Sequence, residues 1–185
     1  MQAHIHNVIL HELSHMWFGN LVTMRWWDDL WLNESFANMI SYMCMDEADG
    51  LEDITLAWNL FQGQGSWALQ KDQSVTTHPI AAHVESTGVA TDNFDGISYG
   101  KGACFLHQLV FFFGQGVLKE GLNTYFKKYA FQNTVAADFI GEMSAAANKL
   151  NLTEVNMEQW AAEWLTSSGC SAISLAPEFV GGKIS

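Results

Sequence analysis

The sequence predicts a mainly α, single-domain chain, and three observations carry that prediction. Apolar residues recur at helical spacing in one segment after another, glycines and an Asn-x-x-Gln pattern stand at segment ends, and 185 residues that are 49% hydrophobic suffice for one buried core. Residues 1–169 read as that domain. Residues 170–185, with Pro177 and the adjacent Gly181 and Gly182, read as a linker or the start of a following domain.

Taken in order, Ile5, Ile9, Leu13 and Met16 form the stripe of an amphipathic helix over residues 2–18, stopped at Gly19, with His11 and His15 on its other side. Residues 20–30 lack a helical stripe and read as an extended connection. A helix over 31–47 follows, with Leu32, Phe36, Met39, Ile40 and Met43 as its core stripe and Glu34, Ala37, Asn38 and Ser41 on a small, polar face, and Gly50 ends the region. The next helix, up to Asp72, is expected to be interrupted by Gly63 and Gly65. A long loop over 73–97 reads as irregular, and a loop of that length is usually functional. Helical periodicity returns in "SYGKGACFLHQLVFFF", "GVLKEGLNTYFKKYA", "ADFIGEMSAAANKL" and "MEQWAAEWLTSS", the last with Asn156 and Gln159 as a capping box and Gly169 as its end.

Composition removes several functions. Acidic residues outnumber basic ones 20 to 8, for a formal charge of −12, which argues against nucleic acid and anionic membranes as partners, since both reward clustered Lys and Arg. The longest apolar run, "LVFFFG", is too short to cross a bilayer. Cys44, Cys104 and Cys170 are odd in number and widely spaced, so they read as buried, reduced thiols.

The segment "HELSHMWFGNLVTMRWWDDLWLNESFANM" sets histidines and carboxylates in an apolar, tryptophan-rich run, where unpartnered polar groups cost several kcal/mol. Residues four apart on a helix are only about 40° out of register and about 6 Å apart along the axis, so His11 and His15 aim at one point. Glu12 lies about 60° round from His15, within reach of a water held there. This is the logic of the H-E-x-x-H pattern, in which neutral imidazoles hold Zn²⁺ and the carboxylate serves as general base. Catalytic zinc takes a third protein ligand, and Glu34, after 18 intervening residues, is the best candidate. A His₂Glu set suits zinc better than magnesium or calcium. The alternative is a pair of hydrogen-bonded helix histidines beside an exposed glutamate.

"VILHELSHMWFGNLVTMRWWDDLWLNESFA" resembles the active-site segment of the aminopeptidase N family of zinc metallopeptidases, gluzincins whose pattern is H-E-x-x-H, eighteen residues, then Glu. "FDGISYGKGA" resembles that family's second signature, and the similarity extends to "WAAEWLTSSG". The resemblance implies the helical subdomain of a thermolysin-like catalytic domain. It implies one Zn²⁺ on His11, His15 and Glu34, water activation by Glu12, an oxyanion hydrogen bond from Tyr99, and peptide substrates cleaved after the amino-terminal residue. On its own residues Tyr99 reads as a packing tyrosine; the resemblance is what favours catalysis. His4 reads as a surface or outer histidine, Trp26, Trp27 and Trp31 as packing residues, and Lys101 as a solvated or carbonyl-capping lysine.

The resemblance further implies that the glutamate anchoring the substrate's amine, in a Gly-Ala-Met-Glu-Asn segment, lies before residue 1 together with a β-rich part. The chain is therefore expected to be a fragment whose partner is the missing amino-terminal part of the same parent. Two other functions stay open: a non-catalytic zinc-binding fragment, and epoxide hydrolysis on the same scaffold.

Overall fold

The computed structural model describes residues 2–48, 54–152, 154–176, 179–180 and 183–184. The chain is mainly α, as expected. Its helices are α1 Gln2–Ser14, α2 Leu30–Glu47, α3 Ile54–Asp72, α4 Thr87–Asp92, α5 Gly102–Tyr129, α6 Ala136–Lys149 and α7 Met157–Leu165, with a π-helical turn at Ile97–Lys101 and a 3₁₀ turn at Trp27–Asp29. Strands β1 Val22–Met24 and β2 Gln132–Thr134 pair in parallel, Thr23 opposite Asn133. Phe179–Val180 (β3) and Lys183–Ile184 (β4) pair antiparallel in the tail. Gly50, Pro177, Gly181 and Gly182 lie outside the described residues.

Helix α2 is the centre of the fold, touching α1, α3, α5 and the π-helical turn. Its expected stripe is buried at Leu32, Phe36 and Met39, but Ala37, Asn38 and Ser41, assigned to a polar outer face, are buried as well. The reason is hydrogen bonding. Asn7 Nδ2 of α1 donates to Ser41 Oγ at 2.8 Å, and Asn38 Nδ2 donates to both Gln64 Oε1 of α3 and the Tyr99 carbonyl at 3.1 Å. Small and amide side chains let two helices approach closely, and interaxial distance follows the side chains at the contact.

The same contact reverses the reading of α1. Ile5, Ile9 and Leu13 form its exposed side, and it ends at Ser14 rather than 18, leaving Met16 exposed in the turn that follows. Ala3, Leu10 and Ser14 face the body instead. Beyond Ser14 the chain makes a tight turn in which Gly19 takes φ +120, a conformation that side chains disfavour. The turn delivers Phe18, fully buried, against Phe36 at 4.0 Å between ring centroids, with Phe126, Tyr125 and Phe139 within 5.8 Å.

Helix α3 runs unbroken through Gly63 and Gly65, so the expected interruption is absent. Packing overrides the propensity loss of a glycine, which is only about 1 kcal/mol. Gly114, at φ 83 and ψ 157, divides α5 where two segments were expected. The long loop contains α4, capped by Ser86, and is pinned by Trp26 Nε1 donating to the Val84 carbonyl at 2.7 Å. At α7, Asn156 accepts from the Gln159 amide, but the Gln159 side chain turns to Glu163, leaving half a capping box. Helix α7 closes at Leu165, ahead of Gly169. Cys44 and Cys170 are exposed and Cys104 is partly buried, so only one of the free thiols approaches the expected burial. Among the described residues no helix is long and apolar enough to cross a membrane.

Tyr125 offers a test of the core. It is fully buried beside Phe18, shares a 2.7 Å hydrogen bond with Thr134 Oγ1, and burial pushes its hydroxyl up to about 12. A tyrosine whose folded pKa lies above its unfolded value of about 10 contributes stability that is complete below pH 10 and lost as pH rises towards 12. Tyr125→Phe should therefore be less stable by about 1 kcal/mol at pH 7, from the stranded Thr134 hydroxyl. Its urea midpoint should fall less than the parent's between pH 10 and 11.5.

Candidate active site

Three elements meet around one cavity of about 400 Å³, lined by His11, Glu12, His15, Gly19, Asn20, Asn33, Glu34 and Tyr99. Helix α1 and the turn after it supply both histidines, α2 supplies Glu34, and the π-helical turn supplies Tyr99. Every residue singled out for chemistry in the sequence thus lies in one place.

The ligand-type atoms converge closely. His11 Nε2 stands 3.2 Å from His15 Nε2, and Glu34 Oε2 is 3.4 Å from the first and 3.5 Å from the second. Tetrahedral zinc with bonds of 2.0–2.1 Å holds its ligand atoms about 3.3–3.4 Å apart, so this spacing fits zinc without rearrangement. Among the described residues these three form the one group of His, Cys, Asp and Glu side chains that could hold a metal ion.

Hydrogen bonding prepares the donors. His15 Nδ1 lies 3.0 Å from the Phe18 carbonyl oxygen, which can only accept, so Nδ1 carries the proton and the neutral ring turns a lone pair at Nε2 into the cavity. Burial works to raise the Glu34 carboxyl, but the hydrogen bonds from His11 and then His15 outweigh it and hold it down to about 2. Reciprocally, the Glu34 hydrogen bond raises His15 against the opposing effect of burial.

Tyr99 sits where close approach of backbone is essential. A Cβ at Gly100 would stand 2.6 Å from the Gln64 carbonyl oxygen of α3, and one at Gly102 would collide with Ser35 of α2. The glycines of "SYGKGA" thus let the turn nest between two helices. Ser35 Oγ then donates to the Ser98 carbonyl at 2.6 Å, and Asn38 holds the Tyr99 carbonyl. The phenol ring stacks beside His11 at 6.2 Å between centroids. Burial first, and then the negative charge of Glu34, push the Tyr99 hydroxyl above the usual tyrosine range. It stays protonated at neutral pH and remains a donor.

Glu12 is exposed on the cavity wall. Asn33 was missed in the sequence: its Oδ1 is buried in the wall without a hydrogen-bond partner among the described residues. Its position next to Glu34 was the available signal. His4 lies on the exposed side of α1, away from the cavity. Trp31 packs in the core, 1% exposed, whereas Trp26 and Trp27 are partly exposed and line a smaller cavity of about 250 Å³ with Arg25 and Asn33, Trp26 also holding the long loop at Val84. Lys101 caps the Ser167 and Gly169 carbonyls, as a carbonyl-capping lysine would.

Two imidazoles and a carboxylate thus gather on paired helices, with a second carboxylate and a phenol alongside. The chain belongs to the peptidase family M1, whose domain its residues 1–160 match. It is 41% identical over 166 residues to an aminopeptidase N of Streptomyces lividans, covering 89% of this chain and 19% of that protein. It is 37% identical over 180 residues to a leucyl aminopeptidase of Saccharolobus solfataricus, covering 95% and 21%, and 38% identical over 148 residues to aminopeptidase Ey of Gallus gallus, covering 77% and 15%. The chain spans about a fifth of the length of the first two.

Two glycines separate close approach from flexibility. Gly100→Ala should lower stability by about 1–3 kcal/mol, the usual cost of overpacking, because backbone must move to admit the methyl group. Gly63→Ala, at an exposed position of α3 with nothing within 4 Å, should raise it by about 0.5–1 kcal/mol. Urea unfolding of the two variants decides.

Proposed function

We propose that this chain carries the metal-holding and proton-transferring residues of an aminopeptidase: one zinc per chain on His11, His15 and Glu34, with Glu12 as general base and Tyr99 as oxyanion donor. The observation that carries the reading is the convergence of three ligand atoms within 3.5 Å in the cavity that Glu12 and Tyr99 also line. Membership of a family of zinc metallopeptidases supports the choice of metal, and the aminopeptidase names of the relatives support amino-terminal residues of peptides as substrates. Residues 1–169 are the helical part of the catalytic domain on this reading, and 170–185 lead onward.

Zinc, when bound there, lowers the pKa of a water and polarises the scissile carbonyl. The Glu12 carboxylate takes the proton of the attacking water and returns it to the departing amine nitrogen. The Tyr99 hydroxyl donates to the carbonyl oxygen as negative charge gathers on it, an interaction worth most where water is excluded. His15 keeps its Nε2 lone pair inward because the Phe18 carbonyl holds Nδ1–H. The second reading, a zinc-binding fragment without catalysis, gives Glu12 and Tyr99 no reason to share the cavity.

Elemental analysis should find one zinc per chain, lost in Glu34→Ala after dialysis against a weak chelator; retention of full zinc there removes Glu34 from the ligand set. In the full-length protein, Glu12→Gln should keep zinc and lower turnover of an alanyl or leucyl chromogenic amide by about 10²–10⁴. Tyr99→Phe should keep zinc and lose about 10²–10³ in kcat with little change in KM. Near-parental turnover in Glu12→Gln would remove Glu12 from the role of general base.

A further inference from the structure

The turn that carries Tyr99 is held at both ends from a single place. Lys71 and Asp72, consecutive in the last turn of α3, reach in opposite directions along it. Lys71 Nζ lies 3.2 Å from Asp95 Oδ2, just before the turn, and Asp72 Oδ2 lies 2.8 Å from Nζ of Lys101, its last residue.

Neither pair is a loose surface contact. Asp95 Oδ1 accepts from the Ile97 amide at 2.8 Å and the Ser98 amide at 3.4 Å, its carbonyl accepts from the Tyr99 amide at 3.0 Å, and His78 Nε2 stands 3.2 Å from Oδ2. Moving Asp95 therefore moves the backbone of Tyr99. At the other end the Asp72 and Lys101 side chains are only 4% and 14% exposed. Lys101 spends its three ammonium protons on Asp72 and the carbonyls of Ser167 and Gly169, while Asp72 Oδ1 accepts from Thr77 Oγ1 and the Gly169 amide.

A buried ion pair of this kind is a poor source of stability, since an apolar pair of similar volume often serves as well. What it supplies is a single geometry. We propose that Lys71 and Asp72 are positioning residues for Tyr99, clamping the π-helical turn through Asp95 and Lys101 so that the phenol hydroxyl is fixed relative to His11, His15 and Glu34. The inference rests on the role of Tyr99 proposed above. It also accounts for the turn itself, since a π-helical segment is rare and tends to mark a functional position.

The test uses the zinc-loaded full-length protein and an alanyl chromogenic amide, with Asp72→Asn, Lys71→Met, Tyr99→Phe and the two doubles containing Tyr99→Phe. Asp72→Asn and Lys71→Met should each lower kcat by about ten- to a hundredfold, the effect of misplacing a group by about 1 Å, with KM and zinc content unchanged. Affinity for a tetrahedral phosphinate analogue should fall in parallel with kcat. In the Tyr99→Phe background neither substitution should lower kcat further, because no hydroxyl is left to misplace. Equal losses in both backgrounds, or undiminished kcat in the single variants, overturn the clamp while leaving the role of Tyr99 standing. Undiminished kcat in Tyr99→Phe overturns that role and the clamp with it. Should Asp72→Asn fail to fold, Lys71→Met, at a side chain 26% exposed, decides alone.

Discussion

Helix α2 has two buried sides of opposite character, and the rest of the chain is arranged to satisfy both. Leu32, Phe36 and Met39 need apolar cover, which the Phe18 cluster and α5 provide. Ser35, Asn38 and Ser41 need hydrogen-bond partners, and an unmet buried group costs about 1–3 kcal/mol. Those partners are Asn7 on α1, Gln64 on α3, and the carbonyls of Ser98 and Tyr99. The bonds to Asn7, Ser98 and Tyr99 also fix elements bearing site residues, and the bond to Gln64 ties α2 to α3. The closeness of His11 and His15 to Glu34 is thus a consequence of how α1 must lie to reach Ser41.

The site itself runs against what a stable fold would choose. Two imidazole nitrogens and a carboxylate oxygen lie within 3.5 Å of one another, with the Glu12 carboxylate nearby. Local conflict of this kind is expected where function constrains sequence. Hydrogen bonds from His11 and His15 keep the Glu34 carboxyl low against its burial, and the Glu34 hydrogen bond raises His15, so the cavity favours a carboxylate facing positive charge.

Helix existence and the histidine–glutamate spacing were legible because both rest on local periodicity, and so α2 and α6 fall within a residue or so of their expected bounds. Periodicity shows that a helix has two unlike faces, not which one is covered. That is why the stripe Ile5, Ile9, Leu13 and Met16 misled, and why Asn38 and Ser41 were placed outside: small polar residues suit a close helix contact as well as they suit water. The π-helical turn has no period of its own, and nothing local to the sequence shows that Gln64 and Ser35 lie against its glycines. Lys71 and Asp95 are too far apart in sequence for any local pattern to pair them.

Two kinds of force hold Tyr99, and they divide the work. Steric nesting of Gly100 and Gly102 against α3 and α2 sets where the turn lies, because displacing packed backbone is costly in any direction. Glycine offers no side chain to resist small rotations of the turn, which polar contacts oppose, among them the Ser35 and Asn38 hydrogen bonds to its carbonyls. The ion pairs at the two ends resist that residual motion. Their energies are modest: a partly exposed pair such as Lys71–Asp95 is worth about 0–1 kcal/mol. For stability that is little, yet about 1.4 kcal/mol is a factor of ten in rate if it decides where a donor points. Weak interactions can therefore matter at this position far more for chemistry than for folding, and the polar residues at the end of α3 are placed where that leverage is available.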